Sequence, residues 1–203
     1  IRDSSSSLRI SEHELNTYME GICHAFYSYA EAKQIKLDYK SNFEYQNVWF
    51  DKEKMDSITK NLISNAIKYT PAHGEVHIII CHDKDNWSLE ITDTGIGIPA
   101  KEQKKLFKLH FRGSNAINAK ITGSGIGLML VWKLVRIHKG KISIESVENK
   151  GTRVKVIFPQ KQFRNQQVPT ETVQQENVAP VSPSAVSPHT CLLYTSPSPR
   201  DCS

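Results

Sequence analysis

The sequence predicts an α+β fold in which helices cover one face of a mostly antiparallel sheet. Two observations carry that expectation. Three long segments repeat their apolar residues at helical spacing, and the segments around them alternate with a period of two. A third observation sets the limits: at 203 residues the chain has room for one ordinary domain and a tail, and the patterning stops after Pro159.

The elements follow in order. Ser11 to Lys33 is expected to be a helix, since Leu15, Met19, Ile22, Cys23, Phe26 and Ala30 recur on one side and Ser11 with Glu14 reads as a capping box. Short strands are expected around Lys36–Phe43 and Val48–Phe50. Asp51 opens a second helix with Met55, Ile58, Leu62, Ile63, Ala66 and Ile67 on its apolar side, ended by Pro71 and Gly74. Glu75–His82 and Trp87–Asp93 alternate as a pair of strands. A Gly-rich turn (Thr94–Pro99), a short helix (Ala100–Lys108) and a polar, flexible segment (Arg112–Ser124) come next. Gly125–His138 is the third long helix, and Lys141–Val147 with Thr152–Phe158 form a closing hairpin.

Residues 1–10 then read as a connector, 11–159 as the domain, and 160–189, rich in Gln, Pro, Val, Ser and Thr, as a disordered linker. Residues 190–203 resemble a translated sequencing adaptor and are expected to be no biological sequence. The start, with no initiator Met, no secretory signal and four serines after Asp3, gives the expectation of a fragment. No apolar run approaches the roughly 20 residues of a membrane helix.

The four cysteines form no C-x-x-C or Cys/His cluster, which argues against a zinc site or a disulfide framework and fits a reducing compartment. The net charge of +5 is uneven. From Thr94 to Ile144 the only carboxylate is Glu102, among ten lysines and arginines. Such a run is either a solvated face or a field for polyphosphate or an acidic partner. Nucleic acid is not expected, because the regular interleaving of rings and cations used by single-strand binders is lacking.

Four segments carry chemistry. Along Asn61-Leu-Ile-Ser-Asn65-Ala-Ile-Lys68-Tyr69, positions i, i+4 and i+7 put two amides and an ammonium on one helix face. Amides on a face that also bears apolar residues are costly without partners; a carboxamide oxygen suits Mg²⁺, and a lysine suits phosphate. Asp93-Thr-Gly95-Ile-Gly97-Ile98-Pro99 ends a strand with a carboxylate that can accept from an exocyclic amine, beside glycines that admit a close ligand. Leu106-Phe107-Lys-Leu-His110-Phe111-Arg112 is an aromatic–basic stretch that core packing explains equally well. Gly123-Ser-Gly125-Ile-Gly127-Leu128 opens a helix, where free backbone N–H groups favour phosphate. It matches neither the dinucleotide fingerprint nor the Walker loop.

In this order, the segments resemble the N, G1, F and G2 boxes of the histidine kinase ATPase domain, within the gyrase, heat-shock chaperone, histidine kinase and mismatch-repair superfamily. The resemblance spans about Ile10 to Pro159. It implies the Bergerat fold, a two-layer α/β sandwich with three main helices on one face of a mixed sheet, and ATP held between the Asn61–Tyr69 helix and a lid. It further implies that Asn65 binds Mg²⁺, that Asn61 and Lys68 face the phosphates, and that Tyr69 packs on the base. Asp93 would read the adenine amine, with Thr152 supporting it; Gly95, Gly97 and Ile98 would shape the base pocket. Arg112, Gly123, Gly125, Gly127 and Leu128 would complete the ATP site from the lid side. The family usually has an aromatic where this chain has His110, which leaves the contact of that box with the lid without its usual ring. The wording around Ser114–Leu130 is similar to hybrid two-component sensors of gut-type Bacteroidetes, in which a receiver domain often follows the kinase.

What the resemblance implies for the whole protein is a homodimeric sensor histidine kinase at the cytoplasmic face of a bacterial membrane, relaying phosphate to a response regulator. His13-Glu-Leu-Asn-Thr17 looks like the phosphoacceptor box, but Tyr18 stands where the family has proline. The fewer than about fifty residues from His13 to Asn61 are also too few for a two-helix hairpin, at about 1.5 Å per residue, plus the first strands. His13 is therefore expected at the surface near the start of the first helix, and the phosphoacceptor helices are expected to lie outside this chain. His73, His77 and His82 are expected in exposed turns and strands. The alternatives are an ATP hydrolase of the superfamily or a degenerate ATP-sensing module. Hydrolase members carry a general-base glutamate four residues before the metal-binding asparagine; here that position is Asn61, an amide that cannot take a proton.

Overall fold

The computed structural model describes residues 7–108, 111, 113–118, 121, 124–160 and 163. Arg112, Gly123, His110 and residues 164–203, and with them most of the expected linker and the adaptor-like end, lie outside these. The described elements run β1 (Ile10–Glu14), α1 (Leu15–Ala32), β2 (Lys36–Ser41), β3 (Asn47–Asp51), α2 (Lys52–Tyr69), β4 (Glu75–His82), β5 (Asn86–Asp93), α3 (Ala100–Gln103), α4 (Ser114–Asn118), α5 (Gly127–Ile137), β6 (Lys141–Val147) and β7 (Gly151–Pro159). β2, β4, β5, β7 and β6 form one sheet in that spatial order, parallel only between β2 and β4; β1 and β3 form a separate antiparallel pair. The expected α+β sandwich is what forms.

Alternation on the central strands fixes which face is covered. Val76, Ile78 and Ile80 of β4 and Trp87, Leu89 and Ile91 of β5 are buried, while Glu75, His77 and Glu90 between them point to the other side. Against the buried face lie the apolar stripes of α1, α2 and α5, among them Met19, Cys23, Ile58, Ile63, Ile67, Val131 and Val135. Each such side chain contributes about 1.5–3 kcal/mol on burial. Phe50, Trp87 and Phe158 close one end of this core, with Trp87 and Phe158 stacked 4.6 Å apart. The open face is polar: Glu90 meets Arg153 at 3.4 Å and Lys155 at 3.6 Å, and His77 sits between Glu75 at 2.9 Å and Asp38 at 3.3 Å.

Four boundaries differ from expectation. Ser11–Glu14 is strand, not the first turn of a helix, because it pairs with β3 (Ser11 with Phe50, His13 with Val48). Glu14 is itself the N-cap of α1, its carboxylate accepting from the Asn16 amide at 3.0 Å and the Thr17 amide at 2.6 Å. His13 thus lies on β1, stacked 4.6 Å from Phe50, rather than on the helix. The helix expected over Ala100–Lys108 stops at Gln103, and the segment expected to be irregular contains α4. α5 begins at Gly127 rather than Gly125, because Gly125 has φ of 71°, outside the helical region. The packed fold also exceeds 11–159 at both ends: the Arg9 amide donates to Asp51 Oδ2 at 2.9 Å, Gln160 Oε1 accepts from the Trp49 amide at 2.9 Å, and Phe163 is buried.

Candidate functional site

α2 supplies one wall of the site and is held at both ends. At its start the N-cap Asp51 accepts from the Lys54 amide at 3.1 Å and from Lys54 Nζ at 2.6 Å, which keeps its carboxyl below the usual range against the cost of burial. At its end the four last carbonyls, orphaned by helix geometry, all find donors. Thr70 Oγ1 donates to Ala66 at 2.7 Å; Lys33 Nζ donates to Ile67 at 2.7 Å and to Lys68 at 3.1 Å; the Ile96 amide donates to Tyr69 at 3.1 Å. Lys33 also reaches the Thr70 carbonyl at 3.1 Å. Between these anchors α2 buries its apolar stripe and leaves Asn61, Asn65, Lys68 and Tyr69 half-buried along the edge of that stripe.

Those four residues line a cavity of about 370 Å³ together with Asp93, Ile96, Gly97 and Ile98 from the β5 end, Gly125, Gly127 and Leu128 from the start of α5, and Thr152. Every expected site residue within the described part comes to this cavity except Gly95, which sits just behind it. A Cβ on Gly95 would lie 2.5 Å from the Tyr69 carbonyl oxygen and 2.7 Å from Asp93 Oδ1, so only glycine lets the turn close onto the end of α2. Asp93 is 8% exposed. Its Oδ1 accepts from the Gly95 amide at 2.8 Å and the Thr152 amide at 3.1 Å; Oδ2 has no hydrogen bond among the described residues. Burial pushes its pKa up to about 6 in spite of those two bonds.

The cavity lining is of two chemical kinds. Ile91, Ile98, Leu106, Ala116, Ile144 and Val154 are apolar, and Ile91 pairs with Val154 in the sheet next to the Asp93–Thr152 pair, which gives an apolar slot beside the carboxylate. The rest is polar. Asn61 donates from Nδ2 to the Ser57 carbonyl at 2.7 Å, and its Oδ1 is so near α5 that a Cβ on Gly127 would come within 2.6 Å of it. The Asn65 side-chain carboxamide has no hydrogen bond among the described residues, and Lys68 Nζ lies 5.0 Å from the centre of the Tyr69 ring. An apolar slot closed by a carboxylate suits a flat heterocycle with an exocyclic amine. Amides and an ammonium beside a helix N-terminus suit its anionic part.

Sequence reasoning missed two positioning side chains. Asn115 of α4 donates from Nδ2 to the Gly97 carbonyl at 2.8 Å and the Ile96 carbonyl at 3.3 Å. Gln103 of α3 donates from Nε2 to the Ile98 carbonyl at 3.1 Å and the Ser146 carbonyl at 2.7 Å. Both hold the glycine-rich turn by its carbonyls. Neither stood out, since each is a lone amide in a polar stretch.

Comparison with known proteins gives the family and the fold. The family described as histidine kinase-, DNA gyrase B- and HSP90-like ATPase matches residues 50–162. The circadian input-output histidine kinase CikA of Synechocystis is 30% identical over 165 residues, 80% of this chain and 22% of that protein. The chain spans between 12% and 42% of the curated histidine kinases compared with it. Two solved structures share the fold: full-length ShkA in complex with AMPPNP (TM-score 0.67, 18% identity, 76% of this chain and 32% of that one), and histidine kinase ThkA in complex with response regulator TrrA (TM-score 0.60, 22% identity, 77% of this chain and 43% of that one). No described helix is long and apolar enough to cross a membrane. With more than half its length matched by the family model, the chain belongs to the histidine kinase-, DNA gyrase B- and HSP90-like ATPases.

Proposed function

We propose that this chain is the ATP-binding catalytic part of a sensor histidine kinase, and that it donates the γ-phosphoryl group of ATP to a histidine on phosphoacceptor helices. The observation that carries the reading is that one cavity is lined by Asp93, beside apolar side chains, and by Asn61, Asn65 and Lys68. Asp93 Oδ2 accepts from the adenine amine, the apolar slot takes the ring, and Lys68 faces the phosphates as a point charge. Arg112 and Gly123 keep their proposed part in holding the triphosphate on the resemblance alone.

The residues present fit one Mg²⁺ held by an amide oxygen of Asn65 together with phosphate oxygens. Such an ion would take this amide oxygen, phosphate oxygens of the nucleotide and water as its hard oxygen ligands. Bound there, the ion neutralises phosphate charge. The chain's own share is positioning and charge compensation, as phosphoryl transfer requires, with a P–N bond forming on the acceptor imidazole as the γ-phosphorus–oxygen bond to ADP breaks.

Asn61 favours transfer to histidine over hydrolysis, since an amide cannot deprotonate water. The response regulator, a receiver fused beyond residue 189, the dimer, and a place at the cytoplasmic face of a bacterial membrane belong to the longer protein that this reading implies. A two-component sensor of the Bacteroidetes type is its proposed source. ThkA, solved with a response regulator, supports that partner class.

The test mixes the chain with a two-helix phosphoacceptor domain of a histidine kinase, Mg²⁺ and γ-labelled ATP. Label should appear on the acceptor histidine as an acid-labile, base-stable phosphoramidate and not on this chain. Brisk phosphate release without transfer would favour the hydrolase branch instead.

A further inference from the structure

α5 links the cavity to a buried polar contact at its far end. His138, the C-cap of α5, is 1% exposed. Its Nδ1 lies 2.8 Å from the Leu134 carbonyl oxygen, and its Nε2 lies 3.3 Å from the Asp51 amide nitrogen. A carbonyl only accepts and an amide only donates, so the ring is neutral with its hydrogen on Nδ1. Phe158 packs edge-on against the ring at 5.9 Å. Leu134 belongs to α5 itself, whereas Asp51 is the N-cap of α2. The last turn of α5 is therefore bonded to the first turn of α2.

The other end of the same helix pair is the site. The first residue of α5, Gly127, lies against Asn61, with Asn65 next to it. A helix of 11 residues is a nearly rigid rod of about 16 Å. A bond that stops α5 sliding along α2 at one end also sets the gap at the other.

We propose that His138 is a positioning residue for the nucleotide. Its bond to the Asp51 amide fixes the axial register of α5 against α2, and with it the contact between Gly127 and Asn61 beside which the triphosphate is gripped. The inference rests on the ATP reading above. His138 does not line the cavity, so it acts only through the two helices.

Two substitutions separate its two bonds. His138→Gln is long enough to offer an oxygen to the Asp51 amide, whereas His138→Asn reaches only the Leu134 carbonyl. Spin labels at Leu130→Cys and Lys60→Cys, both exposed, with the native cysteines replaced by serine, report the α5–α2 distance in the nucleotide-free full chain. Mg–ATP affinity is titrated in the unlabelled proteins at a temperature where circular dichroism shows all of them folded. His138→Gln should keep the narrow wild-type distance distribution and the wild-type affinity. His138→Asn should shift or broaden the distances and weaken Mg–ATP about five-fold, the scale of one lost hydrogen bond. An unchanged distance distribution in His138→Asn overturns the inference, and so do altered distances with unaltered affinity. Altered distances with no ATP binding by any of the proteins, wild type included, would support the register bond and overturn the nucleotide reading instead.

Discussion

The Thr152 amide donates to Asp93 Oδ1 at 3.1 Å across the β5–β7 pair, so the carboxylate that closes the apolar slot is aimed by the neighbouring strand. A second donor, the Gly95 amide at 2.8 Å, takes the same oxygen, which leaves Oδ2, without a hydrogen bond among the described residues, for the proposed base contact. Asp93→Asn replaces a pure acceptor with a group whose amide can also donate. Discrimination between ATP and GTP should vanish in this variant, measured by competition against a fluorescent ATP analogue. Retained preference for ATP would show that Oδ2 does not read the base.

The same residue should cost the free protein stability. Its folded pKa of about 6 lies above the model-peptide value of 3.8, so between those pH values the folded state binds more protons than the unfolded one. Stability from this group is therefore full below about pH 4, falls as pH rises toward 6, and stays low above it. Asp93→Asn keeps an oxygen for both backbone amides and removes the buried charge. It should raise stability at pH 7.5 by up to about 3 kcal/mol, and by much less at pH 4. Urea midpoints of both proteins at the two pH values check the sign.

Asn65→Asp should behave differently. It keeps an oxygen for the proposed metal but adds charge where the reading puts the triphosphate, so affinity for Mg–ATP should fall while preference for ATP over GTP persists. Titration with both nucleotides separates the two effects; lost discrimination in this variant would contradict the division of the cavity into a base end and a phosphate end.

How much of this was legible follows from the physics of each signal. α2 and its face of amides could be read almost to the residue, because the apolar stripe and the spacing of Asn61, Asn65 and Lys68 are local and periodic. The start of α1 could not. Ile10–Glu14 becomes a strand only because β3, nearly 40 residues away, lies beside it, and a glutamate N-cap is outside the usual preference. Asn115, Gln103 and Lys33 act through backbone carbonyls that only the fold brings to them. No periodicity marks such residues.

Lys33 gives a prediction of that hidden kind. Its ammonium serves the carbonyls of Ile67, Lys68 and Thr70, and burial holds its pKa below the ordinary lysine value. Lys33→Met keeps the apolar stem and removes the donor. It should lower stability by about 1.5–3 kcal/mol, the range for hydrogen bonds to a charged group, read as a shifted urea midpoint with unchanged slope. A neutral result would mean that water replaces the ammonium at the end of α2.

On the proposed reading, Asn61 decides between transfer to histidine and hydrolysis. In the wild-type chain the nearest polar side chain to Gly127 is an amide, whose Nδ2 is already spent on the Ser57 carbonyl. With no base at that position, the chain alone should release phosphate from ATP very slowly. Asn61→Glu supplies a carboxylate, and a positioned general base contributes about 10²–10⁴-fold in rate where its geometry is right. Here the geometry is crowded, because Asn61 Oδ1 already lies against Gly127 and glutamate is one methylene longer. Phosphate release by Asn61→Glu should therefore rise by less than about 10²-fold, with Mg–ATP affinity reduced by the added charge. Continuous phosphate detection on both proteins, alongside transfer to the acceptor helices, measures it. A wild-type chain that already hydrolyses ATP briskly would show that the base comes from elsewhere in the site and that Asn61 does not set the choice of acceptor.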